Sequence, residues 1–331
     1  MVYYYFAISH AMKLNIKKIL LLVIILAIAV VLYPRLDDYR RESLQSNIDK
    51  KIANDERTDK LKKFLGGQKV KQLAPYNYKP GVVVAKGVAA PHGVFALNGA
   101  VYVSSEKDKA LYKLVNGKPQ KFADLDFVHD MLPLADGSFV AAVFNENRVV
   151  SISKDGQVKT VLKDLDGPNG LVRTADGTML VSNYLSGTVL AFDPDGSNQK
   201  ILVTDMKGPA GLAVNKKNNT LYIADYLESS VLVLNGKKAA KINFPGLTVD
   251  SLFFVNEKLY ATVGLNTAGG IRGGFVELKP TGEFKLLIDP GLPSPLIGQI
   301  DNEGIIHLVS PNDPNGYVLK YSLDEVTQAS K

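Results

Sequence analysis

The sequence predicts an all-β protein, a six-bladed β-propeller of four-stranded antiparallel blades. Two series of turn-forming dipeptides recur with one shared period of roughly 40 residues, which is typical of propeller blades. Because Asn-Gly and Asp-Gly accept positive φ, each marks a tight hairpin between strands. The first series is Asn116-Gly117, Asp155-Gly156, Asp195-Gly196, Asn235-Gly236 and Thr281-Gly282. The second, out of phase with it, is Asn98-Gly99, Asp136-Gly137, Asp176-Gly177, Asn218-Asn219, Asn256-Glu257 and Asn302-Glu303.

The third repeat shows the four-stranded unit most clearly. Short runs rich in β-branched and apolar residues, bounded by Gly, Asn and Asp, are typical of strands. They predict an inner strand over 170–174, a second over 179–183, a third over 188–192 and an outer strand over 200–204.

The number of blades follows from six inner-strand starts, near Pro91, Val128, Pro168, Pro209, Val249 and Ser294. The sixth repeat has strands near 297–300, 305–309 and 317–321 and then lacks an outer strand. Residues 81–85 precede the first inner strand as 200–204 precede the fourth, so they are predicted to complete the sixth blade. Such closure removes an open sheet edge. The propeller is thus predicted over 79–325, with a C-terminal tail at 326–331.

The N-terminal part is predicted to be a hydrophobic anchor helix within residues 1–35. Residues 19–33 carry no charge, and the segment 14–33 is long enough to cross a bilayer at 1.5 Å per residue. A cleaved signal peptide is the alternative, because Ala27-Ile28-Ala29 has the small-x-small form of a cleavage site. Met12 offers an alternative start.

The charges around this segment predict its orientation. Lysines precede it at positions 13, 17 and 18, which favours a single-pass cell-membrane protein with the propeller on the extracytoplasmic side, periplasmic or extracellular. Residues 36–78 are highly charged and are predicted to form a short helical stalk or linker. Docking of this stretch on the propeller or on a partner helix is the alternative.

The composition argues against nucleic acid as a partner. The chain has a formal net charge of +6 and no cysteine. Of its 39 Lys and Arg, 15 lie in residues 1–79, against 7 of its 33 Asp and Glu, so the propeller itself is slightly acidic. It therefore lacks the cationic surface that phosphate backbones require. The absence of cysteine excludes disulfides and thiolate metal sites.

Candidate chemistry lies where the inner strands converge on the propeller axis. The residues at equivalent inner-strand starts, which we call the axial ring, are His92, His129, Asn169, Ala210, Asp250 and Leu296. Imidazole, amide and carboxylate groups brought together there can hold a divalent ion or exchange a proton. Asp130 is a candidate to orient His129. The alternative is that these residues line a water-filled channel or cap turns.

Loops between second and third strands are expected on the face where the inner strands begin. Asn183, Tyr184 and Asp225 come from such loops and are candidate substrate contacts. The fifth connection, 264–274, is long and glycine-rich and predicts a loop or lid that carries Arg272 toward an anionic group. A merely flexible loop is the alternative.

Three segments carry a family resemblance: Gly-Pro-Asn-Gly-Leu at 167–171, Gly-Pro-Ala-Gly-Leu-Ala-Val at 208–214 and Thr-Leu-Tyr-Ile-Ala-Asp at 220–225. They resemble NHL repeats and the senescence-marker-protein/gluconolactonase group, within the superfamily that includes paraoxonases and strictosidine synthases. The resemblance covers roughly 81–323 and implies a six-bladed propeller.

The lactonases of this group imply a calcium-type ion held by Glu, Asn and Asp side chains. Asn169 and Asp250 match the last two by motif, while His92 stands at the glutamate position. Asp250 also comes one blade later than the pattern requires, with Ala210 in its place. In comparison with paraoxonases, His92-Gly93 matches a catalytic His-Gly pair, and His129-Asp130 and Asn169-Gly170 match an Asn-Asp and an Asn-Gly pair.

The leading functional hypothesis is therefore a metal-dependent hydrolase of a small lactone or ester. Asn169 and Asp250 would hold the ion, Ca²⁺ by resemblance or Zn²⁺ or Mn²⁺ given the histidines. His92 or His129 would activate water as the catalytic base. The first alternative is a non-enzymatic NHL-type propeller that binds a protein, peptide or glycan. The second is a lyase or synthase of the strictosidine-synthase type.

Overall fold

The computed structural model describes residues 81–134, 136–267 and 270–328. The predicted anchor at 1–35 and the stalk at 36–78 lie outside these residues. Within the described part, no helix is long and apolar enough to cross a membrane. The only α-helix described there is α1, Leu323–Gln328.

The described strands form six four-stranded antiparallel sheets, which confirms the predicted propeller. Blade 1 comprises β2 Pro91–Leu97, β3 Ala100–Ser105, β4 Ala110–Val115 and β5 Lys118–Asp124. Blade 2 comprises β6 Val128–Pro133, β7 Phe139–Val143, β8 Arg148–Ile152 and β9 Val158–Leu162. Blade 3 comprises β10 Pro168–Arg173, β11 Met179–Asn183, β12 Thr188–Phe192 and β13 Lys200–Val203. Blade 4 comprises β14 Pro209–Asn215, β15 Thr220–Asp225, β16 Ser230–Asn235 and β17 Lys238–Asn243. Blade 5 comprises β18 Leu247–Val255, β19 Lys258–Thr267, β20 Gly270–Leu278 and β21 Phe284–Ile288. Blade 6 comprises β22 Ile297–Ile300, β23 Ile305–Val309, β24 Val318–Ser322 and, from the start of the propeller, β1 Val82–Ala85.

The first strand closes the ring as predicted. β1 pairs antiparallel with β24, with Val82 opposite Lys320 and Val83 opposite Leu319. A Cβ atom on Gly81 would come within 3.0 Å of the Tyr321 ring, so only glycine fits where the chain enters this sheet. The helix α1 follows β24 directly and buries Leu323 and Val326, whereas the sequence predicted only a tail from residue 326.

The core consists of six clusters of buried apolar residues, one at each interface between neighbouring blades. Each inner blade surface therefore packs against the next blade, which explains why strands such as β7 are buried at every position. Fully buried aromatic side chains fill these interfaces: Phe95, Phe139, Phe192, Phe244 and Phe275. An aromatic side chain of this size buries about 150–250 Å², more than most of the aliphatic side chains that pack around it.

The segment 264–274 differs from the prediction. It is an extension of the β19–β20 hairpin, whose ladder continues to the pair Thr267 and Gly270, and the predicted loop is wrong. Its glycines serve close packing: a Cβ atom on Gly264 would come within 3.0 Å of Thr248 Oγ1, and one on Gly274 within 3.0 Å of Leu265. A glycine-rich run in this chain thus marks tight contacts in an ordered hairpin.

Removal of residues 78–88 should abolish the folded propeller, because it deletes β1 and the buried Val88 and leaves the edge of β24 unpaired. The measurement is thermal unfolding followed by circular dichroism, with size-exclusion chromatography to detect aggregation. Removal of residues 1–70 is the matched control and should leave the unfolding transition in place. Equal cooperative unfolding of both truncations would contradict the role of β1 in closure.

Candidate functional site

The inner strands approach one another so closely at the axis that three blades, 1, 3 and 4, have no room for a side chain directly after the axial ring residue. A Cβ atom on Gly93 would come within 3.0 Å of the carbonyl oxygen of Val128 in the next blade. Gly170 and Gly211 stand in the same relation to the carbonyl oxygens of Ala210 and Asp250. Glycine at these positions therefore allows the backbones to meet.

The inner strands of blades 1 and 3 have a β-bulge at this point. Hydroxyl groups on the second strands of these blades form hydrogen bonds with the backbone there. The backbone amide of Gly93 donates to Ser104 Oγ (2.8 Å), and Ser104 Oγ donates to the carbonyl of Val128 in the next blade (2.7 Å). Ser182 forms the same pair of bonds, accepting from Gly170 and donating to the carbonyl of Ala210. These buried bonds fix the direction in which the axial ring residues project, since an unmade bond here would be costly.

The structure brings together the four polar members of the axial ring. His92, His129, Asn169 and Asp250 are all buried. The two imidazole rings lie 4.8 Å apart between centroids, and His129 Nε2 is 3.9 Å from Asp250 Oδ1. Asn169 and Asp250 border a cavity of about 20 Å³ together with His129 and Asp130, and this volume suffices for one water molecule.

Three polar atoms of this ring are buried without a hydrogen-bond partner among the described residues: His92 Nδ1, Asn169 Oδ1 and Asp250 Oδ1. The Oε2 atom of Glu106 lies 3.7 Å from His92 Nδ1, beyond hydrogen-bond distance. Burying a polar group without a partner costs about 1–3 kcal/mol. Ala210 and Leu296 occupy equivalent ring positions with no such cost, so the fold itself does not require polar side chains here.

Burial sets the protonation of the ring. Desolvation lowers the pKa of His129 well below its ordinary value of 6.5, and neighbouring His92 lowers it further. Burial also lowers the pKa of His92, against the opposing effect of Glu106. For Asp250, burial and then repulsion from Asp130 raise the pKa to about 7. At neutral pH the ring therefore holds neutral imidazoles beside a carboxyl group that is close to its midpoint of titration.

Asp130 lies at the same cavity, but its hydrogen bonds are to the backbone. Its Oδ1 accepts from the amide of Met131 (2.7 Å) and its Oδ2 from the amide of Leu171 in blade 3 (2.8 Å). Asp130 thus joins blades 2 and 3. Burial raises its pKa to about 6, in spite of these two bonds, which lower it. That Asp130 orients His129 stays a prediction.

The donor set of the ring is a poor match for calcium. Ca²⁺ takes six to eight oxygen ligands, whereas the ring offers one carboxylate, one amide oxygen and two imidazoles. Within the described part of the chain, no group of three or more His, Asp or Glu side chains is arranged to hold a metal ion. The imidazoles favour Zn²⁺ or Mn²⁺ over Ca²⁺, and a metal ion at the ring stays a prediction.

The predicted substrate contacts differ in their surroundings. Asp225 is buried and accepts from the amides of Lys207 (3.0 Å) and Gly208 (3.1 Å), which indicates a role in shaping the loop. Arg272 lies on β20 and pairs with Asp289 at 2.7 Å. Asn183 is buried, with Oδ1 lacking a partner in the described residues, and Tyr184 is half-buried on the rim. Binding of substrate by these four residues stays a prediction.

Two rim residues were not anticipated from the sequence. Phe127 precedes β6 and its ring lies 4.1 Å from that of His92, between centroids. Phe144 follows β7 and contacts Phe127, with the ring centroids 5.0 Å apart. Phe144 could have been found by aligning the repeats, because it stands at the position of Tyr184 and Tyr226. Phe127 has no aromatic equivalent in the other repeats.

A larger cavity lies at the other end of the axis. We call the end where the inner strands begin the strand-start face and the opposite end the strand-end face. The strand-end cavity has a volume of about 780 Å³ and is bordered by the turns after the inner strands, including Asn98, Lys216 and Asn302. It shares Asp130, Leu212, Leu252 and Phe253 with the small cavity at the ring. The polar ring therefore lies between the rim residues and this chamber.

Comparison with solved structures supports the assignment of fold. A gluconolactonase from Xanthomonas campestris has a TM-score of 0.58 at 16% identity, covering 72% of this chain and 87% of its own. The gluconolactonase-type propeller is the fold of this chain. A virginiamycin B lyase from Staphylococcus aureus has a TM-score of 0.53 at 13% identity, covering 72% of this chain and 98% of its own.

A third structure shows how little the gluconolactonase-type propeller says about chemistry. The PQQ-bound aldose sugar dehydrogenase from Streptomyces coelicolor has a TM-score of 0.58 at 15% identity, covering 73% of this chain and 96% of its own. No protein-family model and no curated protein matches the sequence. The comparisons confirm the resemblance at the level of fold, and function must be argued from the site.

Replacement Asp250→Asn should change how stability depends on pH. Because the pKa of Asp250 is raised to about 7 from 3.8, its contribution to stability is fully present below about pH 4 and is lost as pH rises toward 7. The free energy of unfolding of the wild type should therefore fall, relative to that of the variant, between pH 4.5 and pH 7.5, by more than about 1.4 kcal/mol. Urea denaturation at a series of pH values measures this difference.

The control is Asp176→Asn, in an exposed turn. Hydrogen bonds from Thr174 and Thr178 lower the pKa of Asp176, so this variant should follow the wild-type pH dependence above pH 5. Parallel profiles for the wild type and Asp250→Asn would contradict the raised pKa of Asp250.

Proposed function

We propose that the chain is a hydrolase of a small lactone or ester that acts at the axial ring. The observation that carries this proposal is that two buried polar side chains, Asn169 and Asp250, each have an unpartnered oxygen and line, with His129, a cavity the size of one water molecule. Retaining such atoms against their desolvation cost is typical of functional sites. The likeness to a gluconolactonase supports a small molecule as the substrate class.

In the proposed mechanism, a water molecule in the ring cavity attacks the carbonyl carbon of the substrate. His129 takes the proton, because its lowered pKa keeps the imidazole neutral and able to accept. Asp250, when ionised, stabilises the imidazolium that forms; the present 3.9 Å from His129 Nε2 would shorten in the reactive complex. The imidazolium then returns the proton to the departing alkoxide.

The two remaining polar ring residues have supporting roles in this mechanism. The Asn169 amide borders the cavity and can hold the attacking water by a hydrogen bond. His92 packs against His129, and together with Glu106 it can relay a proton to solvent. If a divalent ion binds at the ring, Asn169 and Asp250 would hold it, and it would polarise the carbonyl oxygen while the histidines stay free to exchange protons.

His129→Gln and Asp250→Asn should each lower kcat/KM for hydrolysis of γ-butyrolactone or p-nitrophenyl acetate by about 10²–10⁴, the usual contribution of general acid–base groups. Circular dichroism verifies folding, and Asp176→Asn serves as the carboxylate control. Exhaustive chelation separates two routes: activity that is lost and then restored by Zn²⁺ or Mn²⁺ indicates an ion at the ring. Hydrolysis that is unchanged in both ring variants would contradict the proposal.

A binding propeller without catalysis is the second candidate, and exposed apolar side chains on the strand-start face favour it. Leu185 and Leu227, which follow the second strands of blades 3 and 4, are 60% and 55% exposed. A protein, peptide or glycan ligand would cover them. A lyase is a weaker third candidate, supported only by the fold of the virginiamycin B lyase.

We also propose that residues 14–33 anchor the protein in the cell membrane with the propeller outside the cytoplasm. The support is an uncharged segment preceded by three lysines. Protease added to spheroplasts of producing cells should digest the propeller, and the full-length chain should stay in the membrane fraction after a carbonate wash. Replacing two apolar residues of the segment, Leu21→Arg and Ile24→Arg, should release the chain. Protection from protease, together with release of the unmodified chain by carbonate, would contradict the anchor.

A further inference from the structure

Four aromatic side chains form a continuous arc on the strand-start face. Phe127, Phe144, Tyr184 and Tyr226 follow one another across blades 2 to 4, with ring centroids 5.0, 6.1 and 6.3 Å apart. All four are half-buried, so each presents part of its ring on the surface. We call this set the aromatic arc.

The backbone does not require aromatic residues at these positions. Phe144, Tyr184 and Tyr226 each follow a second strand, and the backbone amide of each donates, at 2.9 Å, to a carbonyl just before the inner strand of the same blade. Glu106 in blade 1 and Asn266 in blade 5 make the same bond. The side chain at this position is thus free to vary, and three neighbouring blades carry aromatic rings.

Phe127 has a backbone conformation that is unfavourable for a bulky side chain. Its φ is +64°, in the left-handed region that a bulky side chain disfavours, while the small residues Ala90 and Gly167 take the equivalent place in blades 1 and 3 with φ of +45° and +64°. Strain of this kind concentrates at ligand-binding and catalytic sites. The Phe127 ring, held in this strained conformation, lies against His92 with the ring centroids 4.1 Å apart.

Exposed leucines extend the aromatic arc outward. Leu185 lies near Phe144 across Gly167, and Leu227 lies near Tyr184 across Gly208. Both leucines are more than half exposed. Apolar side chains that are contiguous on a surface, rather than scattered, mark a binding site.

The arc is continuous with the axial ring at its Phe127 end. Phe127 contacts His92 and lies 5.9 Å from His129 between ring centroids. A ligand that lies on the arc would therefore place a neighbouring group over the ring.

The other side of the rim is charged. Glu106 stands beside His92 in blade 1, and the pair Arg272–Asp289 lies in blade 5. A planar apolar group would lie on the arc with its polar end toward these charges. The arc offers aromatic faces and few hydrogen-bonding groups, so a polyhydroxylated sugar lactone would leave most of its hydroxyls unpaired there.

We propose that the aromatic arc binds the planar apolar part of the substrate, and that the site takes phenyl-bearing or similar lactones and esters. This inference rests on the proposed function, because it names the substrate class of the same ring. It makes Phe127, Phe144, Tyr184 and Tyr226 determinants of specificity.

The sequence provides a direct binding test, because the chain has no tryptophan. Tyr184→Trp places the only indole on the arc, and its emission reports binding without any turnover. The probes are 5-phenyl-2-pyrrolidinone and 2-pyrrolidinone, lactams that resist hydrolysis. The phenyl compound should bind with a Kd at least about ten-fold lower, because its ring leaves water on binding.

Matched variants localise that binding. Tyr226→Ala in the Tyr184→Trp background should remove most of the ten-fold preference, whereas Tyr226→Phe should keep it. Tyr112→Trp, in blade 1 away from the arc, should give no saturable change in emission. Equal affinity for the two lactams, or a preference that survives Tyr226→Ala, would overturn the inference.

Hydrolysis is scored separately with 5-phenyl-γ-butyrolactone and γ-butyrolactone. A phenyl preference in lactam binding with no lactone cleaved would leave the arc assignment standing and refute the proposed chemistry. Cleavage of both lactones with equal KM, and equal lactam binding, would support the chemistry and refute the arc.

Discussion

The closeness of the six inner strands at the axis is the constraint on which the rest of the structure depends. Neighbouring backbones meet there with no room for a side chain at Gly93, Gly170 or Gly211. The bulge that permits this contact leaves backbone groups without ladder partners, and the hydroxyls of Ser104 and Ser182 supply the missing bonds. Asp130 of blade 2 adds a further link, since its carboxylate accepts from the amide of Leu171 in blade 3. The position of the axial ring is thus set by the backbone contacts and hydrogen bonds between neighbouring blades.

The axial ring has two chemically different parts, one apolar and one polar. Ala210 and Leu296 are apolar and buried, as expected for residues that only fill the axis. The other four positions carry groups whose desolvation opposes folding, and the pKa of Asp250 is raised as a result. Because the scaffold is held by interfaces between blades, it can tolerate this cost at its centre. Apolar packing between blades therefore stabilises the fold, while the buried polar side chains of the ring lie at the axis.

The sequence was most informative where structure is local. Turn dipeptides gave the hairpins, and strand patterns gave β11 and β12 with their observed bounds, because both signals lie within a few residues. The ring positions followed from the same repeat. The hairpin at 264–274 could not be predicted from the sequence. Its glycines are needed because Gly264 packs against Thr248 and Gly274 packs against Leu265, and these contacts form only in the fold. Phe127 was missed for a similar reason: its aromatic partners come from other parts of the chain.

Closure of the sixth blade by β1 has a consequence for the order of folding. The strand that begins the propeller pairs with β24, the last strand of the propeller. No partial chain can complete the sixth sheet, so β1 must wait unpaired while the earlier blades form. Loop-closure entropy makes such a distant pairing slow. One face of each new blade also stays exposed until the next blade is made, and such apolar surface is prone to aggregation until the ring closes.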